Sequence, residues 1–176
     1  MRKLSMNELN RKSVDEFGRA EKIPVIALLE NIRSAYNVGS VFRTADAFLI
    51  EAIYITGYTA KPPHKEIAKT ALGAQDTVDW KYFRNTKTAI EELRQNGYKI
   101  FAVEQVADSI SLEKFSELNI NKTVFVFGNE VSGVEQETIS LCDGCIEIPQ
   151  FGMKHSLNIS VAAGIVLWEA IKLKSF

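Results

Sequence analysis

Apolar and polar positions along this chain fall into short blocks whose period switches between two and about 3.6 residues. Residues 1–22 are polar, with six basic and four acidic side chains. Leu4, Leu9 and Val14 recur there at roughly helical spacing, which predicts a short helix or an ordered arm. Pro24 then opens an apolar run over 25–29 that reads as a buried strand. Residues 38–48 carry helical spacing, with Val41, Phe42, Ala45 and Phe48 on one side. Residues 52–56, β-branched and apolar, predict a second strand, and 57–63 a loop stopped by Pro62-Pro63.

Further along, 77–82 is a weaker strand pattern, and Thr86–Gln95 a helix stopped by Asn96-Gly97. Strands are predicted at Lys99–Val103, Thr123–Phe127 and 145–148, and helices at 134–141 and 157–172. Strands alternating with helices define an α/β class with a mostly parallel sheet. The expected organisation is an arm over 1–22 and one domain over 23–176, since 176 residues leave no room for a second full domain.

Ligands of open parallel sheets sit beyond the C-terminal ends of the strands. Three of these junctions are unusual. After the first strand, Asn37 can cap a helix, Gly39 permits a turn or a close approach, and Arg43 sits in an otherwise apolar helix start. Arg43 reads either as a salt-bridged helical residue or as a guanidinium in a cleft, suited to phosphate or ribose. After Thr123–Phe127, Gly128 and Gly133 bracket Asn129, Glu130 and Ser132, and Ser132 or Gly133 would start the next helix. The spacing is no dinucleotide fingerprint, and Glu130 would repel a phosphate. After the last strand, His155, Ser156 and Asn158 cluster at the mouth of a long apolar helix. Ser156 reads as an N-cap, while Asn158 is a poor helix former placed in a first turn. Below them Leu157, Val161, Ile165 and Trp168 form an apolar stripe, either core or subunit interface.

In this order the junctions resemble the three motifs of the SpoU (TrmH-like) family of RNA ribose 2′-O-methyltransferases, in the SPOUT superfamily. NVGSVFRTADAF is similar to motif one, FVFGNEVSGV to motif two and IPQFGMKHSLNISVAAGIVLWE to motif three. KTALGAQDTVDW is similar to the family's middle segment, so the resemblance covers about 25–170. It implies a C-terminal deep trefoil knot, which periodicity cannot suggest. It also implies a homodimer whose subunits build the active site together, with S-adenosylmethionine as cofactor. By position the cofactor would meet Val103, Glu104, Gly128, Asn129, Glu130, Gly133, Ile148, Met153, Ser156, Leu157 and Asn158. The implied catalytic set is Arg43 at the ribose hydroxyl, with Asn37, Glu130, Ser156 and Asn158. The reaction is an in-line methyl transfer from a sulfonium, so the enzyme must position two groups and help a hydroxyl lose its proton. Arginine is almost always protonated, which leaves open whether Arg43 is a base or an electrostatic positioner.

Composition refines the partner. The totals are globular: 46% hydrophobic, 24% charged, 10% aromatic and a net charge of −1. That charge, however, sums a net +4 over 1–99 and a net −5 over 100–176. RNA contact would therefore rest on a local basic face, with Arg33, Arg43, Lys61, Lys65 and Lys69 as candidates. The short segment before residue 23 favours transfer RNA over ribosomal RNA; DNA is not expected. No apolar run spans a bilayer and no apolar signal segment opens the chain, so a cytoplasmic protein is expected.

Cys142 and Cys145 have C-x-x-C spacing, but His64 and His155 stand at no metal-ligand spacing to them, so no metal is expected. His155 is read as an adaptable rim residue. The competing functions are a non-catalytic knotted RNA-binding protein, which would have lost Arg43, Glu130 or Asn158, and a nucleotide-cofactor enzyme, which would carry the glycine fingerprint.

Overall fold

The computed structural model describes residues 1–9, 11–153 and 156–172. After a single 3-10 turn at Met6–Leu9, helix α1 spans Val14–Arg19. Ser13 caps it through a reciprocal pair with Glu16. Then follow β1 (Ile23–Glu30), α2 (Ala35–Ala47), β2 (Ile50–Thr56) and α3 (Lys65–Ala71). Next come β3 (Asp79–Phe83), α4 (Thr86–Gln95), β4 (Lys99–Val103) and the two-residue β5 (Ile110–Ser111). A 3-10 segment over Leu112–Leu118 leads to β6 (Thr123–Phe127), α5 (Gln136–Leu141), β7 (Gly144–Glu147) and α6 (Ile159–Lys172).

The strands form one sheet in the order β3-β2-β1-β6-β4-β7-β5, and every pairing between them is parallel. β7 lies between β4 and β5, which are consecutive in the chain. Alternate side chains feed two cores. Val25, Ala27, Leu29, Ile53, Ile55, Phe125 and Phe127 face α2, α6 and the 3-10 segment. Ile26, Leu28, Tyr54, Ile100, Val124 and Val126 face α4. Central strands covered on both faces read as continuous apolar runs, as β1 and β6 do.

The predicted strands all form, and Thr86–Gln95 is helical over the predicted span. Several boundaries differ. α2 begins three residues early because Ser34 is its N-cap, accepting from Asn37 N at 3.4 Å, so Asn37 is not the cap. Gly39 does serve a close approach: a Cβ there would stand 2.2 Å from Thr70 Oγ1 and 2.4 Å from the Ile67 carbonyl on α3. α5 starts at Gln136 after Glu135, not at Ser132 or Gly133. α6 starts at Ile159, so Ser156 lies outside it. Asn158 fills the capping role, its Oδ1 accepting from Ser160 N at 2.9 Å and its carbonyl from Ala162 N. The stripe of Leu157, Val161, Ile165 and Trp168 is not core: these side chains are 39–53% exposed, and the buried side of α6 is Ile159, Ala163, Val166, Leu167, Ala170 and Ile171.

Candidate active site

The C-terminal ends of β1, β6, β4 and β7 lie side by side, and the polar junctions leave from them. The first motif enters α2 and the second returns on itself after β6. The third leads into α6, which packs beside α2.

Glu130 ties the first two together. Its carboxylate accepts from Arg33 N at 2.8 Å, Ser34 N at 3.1 Å and Asn37 Nδ2 at 2.9 Å. Burial alone would raise its pKa, but the hydrogen bonds from Arg33 N, Asn37 and Ser34 N outweigh that and hold it below the usual carboxylate range. Asn37 then reaches the third motif, its Oδ1 accepting from Asn158 Nδ2 at 3.2 Å. A carboxylate can only accept, so Glu130 fixes which end of the Asn37 amide faces it and leaves the oxygen for Asn158.

The second-motif loop is held from three further sides. Asn129, buried, accepts from Val131 N and Ser132 N and donates to the Asn31 carbonyl and to Tyr58 Oη. Glu104 accepts from Val134 N at 3.0 Å. Glu30, 1% exposed, accepts from Glu135 N and from Thr138 Oγ1. Gly128 lets the second-motif loop fold back on itself. A Cβ there would lie 2.2 Å from Gly133 C and Val134 N, so the loop's own return, not a ligand, occupies that side. Gly133 has φ +69°, and a Cβ on it would meet Glu104 Oε2 at 2.1 Å.

Arg43 is exposed on α2, two turns from the helix start, and makes no hydrogen bond or ion pair among the described residues. It is neither salt-bridged nor enclosed in a cleft of this chain. Arg33, Ser156 and Asn158 are also exposed. Lys61 Nζ stands 3.6 Å from the Tyr82 ring centroid, Lys69 reaches Tyr36, and Lys65 opens α3. His155 lies outside the described residues.

Glu30, Asn31, Tyr58 and Glu135 were not singled out by the local pattern. Asn31 sits at φ 53°, donates to Glu135 Oε1 at 2.7 Å and accepts from Tyr58 N at 3.3 Å. The available signal was a Glu-Asn pair ending an apolar strand, since asparagine tolerates the left-handed region. Burial pushes the Cys142 thiol up to about 12, and the thiol donates to the Thr138 carbonyl. Among the described residues no group of three or more His, Cys, Asp or Glu is placed to hold a metal. No described helix is long and apolar enough to cross a membrane.

The residues at β4, β6 and β7 suit an adenosine carrying a sulfonium. Ile148 is half-buried and Met153 and Leu157 are exposed, giving apolar surface for a purine beside polar main chain at the strand ends. The acids Glu104 and Glu130 stand on the flanking loops, where a cationic centre is favoured over a phosphate.

In open parallel α/β sheets ligands bind beyond the carboxyl ends of the strands, and it is there that these three separated motifs are bonded together. The model of the SpoU rRNA Methylase family matches residues 24–168. The tRNA (guanosine(18)-2′-O)-methyltransferase of Thermus thermophilus is 32% identical, over 93% of this chain and 82% of the relative. The 23S rRNA (guanosine-2′-O-)-methyltransferase RlmB of Vibrio vulnificus is 28% identical, over 94% of this chain and 66% of the relative. The crystal structure of an AdoMet-bound rRNA methyltransferase from Sinorhizobium meliloti superposes with a TM-score of 0.81 at 27% identity, covering 89% of this chain and 59% of that one. The chain belongs to the SpoU rRNA Methylase family. It is an RNA methyltransferase whose cofactor is S-adenosylmethionine, as the motif resemblance implied.

Proposed function

We propose that the chain methylates a ribose 2′-hydroxyl of transfer RNA, working as a homodimer. The observation that carries this reading is the Glu130–Asn37–Asn158 chain of hydrogen bonds, which joins all three motifs, with an exposed Arg43 on the same helix as Asn37. Val103, Glu104, Gly128, Asn129, Gly133, Ile148, Met153, Ser156, Leu157 and Asn158 would hold the cofactor. Bound there, S-adenosylmethionine supplies an electrophilic methyl group carried on sulfur.

The remaining work falls to side chains of this protein. Arg43 orients the ribose and a neighbouring phosphate through its planar fork. The guanidinium charge stabilises the hydroxyl oxygen as its proton passes to that phosphate or to solvent. Glu130 acts through Asn37, and Asn37 through Asn158, so these are positioning residues for the start of α2 and the mouth of α6.

A partner surface would enclose Arg43 and exclude water from the transfer. The exposed stripe of Val161, Ile165 and Trp168 on α6, beside α2, supports a dimer that closes over this face. Insertion of β7 between β4 and β5 supports the knot expected for the superfamily. Transfer RNA is favoured because the relative named for it is 32% identical over 82% of its length. Ribosomal RNA is the second reading, favoured by the 23S rRNA relative at 28%.

Nucleoside mass spectrometry of transfer and ribosomal RNA from a deletion strain tests the substrate. Loss of one 2′-O-methylnucleoside from transfer RNA is expected. Loss from ribosomal RNA alone moves the assignment to the second reading, and no loss from either RNA contradicts both.

A further inference from the structure

Among the described residues five lysines lie over aromatic rings, and three of those rings are buried: Phe17 at 7% and Tyr54 and Tyr98 at 5% each. The other two differ. Tyr82 is 39% exposed on the edge strand β3, with Lys61 Nζ 3.6 Å from its centroid. Tyr36 is 42% exposed at the start of α2, with Lys69 Nζ 3.5 Å from its hydroxyl and 5.8 Å from its centroid. Each keeps ring surface open to solvent beside the part that its lysine covers.

The two pairs share one surface. The chain runs from Lys61 through Pro62 and Pro63 into α3, and Lys69 on α3 meets Tyr36. Between α3 and β3 lies a groove of about 550 Å³, walled by Pro62, Pro63 and Trp80, with Lys65 and Asp76 also lining it. Tyr36 in turn belongs to the outward stripe of α2 that includes Ser40, Arg43 and Ala47, two turns from Arg43. Aromatic faces and cations thus alternate from the sheet edge to the proposed catalytic arginine.

This alternation fits one ligand chemistry. Rings stack with any nucleobase, and lysines placed between them meet the intervening phosphates. The prolines and the indole suit a base better than a phosphate. The Asp76 carboxylate repels a phosphate but accepts from a base amino or imino group. A paired duplex would hide the base faces that these rings need. We propose that the surface running from Tyr82, across the Pro62–Trp80 groove, to Tyr36 binds an unpaired segment of the RNA substrate next to the nucleotide presented to Arg43. This rests on the reading of the chain as an RNA methyltransferase.

The test uses the full chain, a fluorescein-labelled single-stranded RNA oligonucleotide of mixed sequence, and the same strand annealed to its complement. Anisotropy titrations are run at several salt concentrations. Tyr82→Leu and Tyr36→Leu are each expected to weaken single-strand binding by roughly tenfold without changing the salt dependence. Lys61→Ala and Lys69→Ala should each reduce the log–log salt slope by about 0.7. Tyr82→Phe should bind like the parent, which separates stacking from the Tyr82 hydroxyl's bond to the Gly57 carbonyl. Circular dichroism and S-adenosylmethionine titration establish that each variant is folded. Parental single-strand affinity in both leucine variants, with RNA methylation retained, overturns the track and leaves the proposed function standing. Equal losses on duplex and single strand overturn the preference for unpaired RNA. A parent chain that binds and methylates no RNA overturns the functional reading itself.

Discussion

Asn37 donates a hydrogen bond to Glu130, 93 residues later in the chain, at 2.9 Å. Reversing that polarity tests the link with little change of shape. Asn37→Asp sets two carboxylates against each other and removes the donor toward Glu130. Methyl transfer should fall by roughly a hundredfold, as for loss of an oriented positioning group. The Kd for S-adenosylmethionine should rise by much less than that, since Asn37 is not itself among the residues proposed to hold the cofactor and is coupled to their loops only through Glu130 and Asn158. Single-turnover methylation and isothermal titration measure the two effects separately.

Arg43 makes no bond within the described chain, so its removal should leave stability nearly untouched. Arg43→Ala is expected to change unfolding free energy by no more than about 0.5 kcal/mol. It should abolish RNA methylation while cofactor binding persists. Arg43→Lys keeps the charge but loses the planar fork, and should remain severely impaired. Near-normal turnover in either variant would sink the assignment.

Glu130 carries a pH signature. Its carboxyl is held below the ordinary range in the folded chain, so its stabilising contribution is complete above the unfolded-state value of about 4.3. That contribution is lost as pH falls through the folded-state value. Urea unfolding should therefore show the parent more stable than Glu130→Gln at neutral pH. The difference should shrink as pH drops below the ordinary carboxylate range. A difference independent of pH would contradict the bonding to Arg33 N, Ser34 N and Asn37.

How far these features were legible in the sequence depended on the range of the interactions behind them. Strands such as Thr123–Phe127 were legible because five consecutive buried residues, four of them apolar, need a covered sheet. Helix α3 was not, since Lys65–Ala71 is seven residues long with only Ile67 and Ala71 buried. β5 has two residues and no periodicity to read. In the site, Arg43, Asn37, Glu130 and Asn158 stood out as polar residues at apolar junctions. The partners Glu30 and Asn31 did not. Their bonds reach Glu135 and Thr138 more than a hundred residues away, and local pattern carries no record of such pairing. Ser34 outcompeted Asn37 as the cap of α2 because Glu130 and Asn158 engage the asparagine amide.

The stripe on α6 predicts an interface. Val161 and Ile165 are 50% and 39% exposed, so a charge at either position costs the monomer little. Val161→Asp combined with Ile165→Glu should convert a dimer to a monomer in sedimentation at micromolar concentration, with circular dichroism unchanged. A parent chain that sediments as a monomer would contradict the dimer.

Cys142 should resist alkylation. Burial, reinforced by Cys145 and Glu30, raises its thiol to about 12, leaving almost no thiolate at neutral pH. Iodoacetamide labelling followed by mass spectrometry should find Cys142 unmodified in the folded chain and modified in urea. Rapid labelling of the folded chain would contradict the packing around Thr138.

The central claim is methyl transfer to the sugar of RNA. Purified chain incubated with transfer RNA and S-adenosylmethionine bearing a trideuterated methyl group tests it directly, with the digested nucleosides fragmented by mass spectrometry. The account predicts a deuterated nucleoside whose label stays with the ribose fragment and whose base fragment is unshifted. Label on the base fragment, or no label in either transfer or ribosomal RNA, would contradict it.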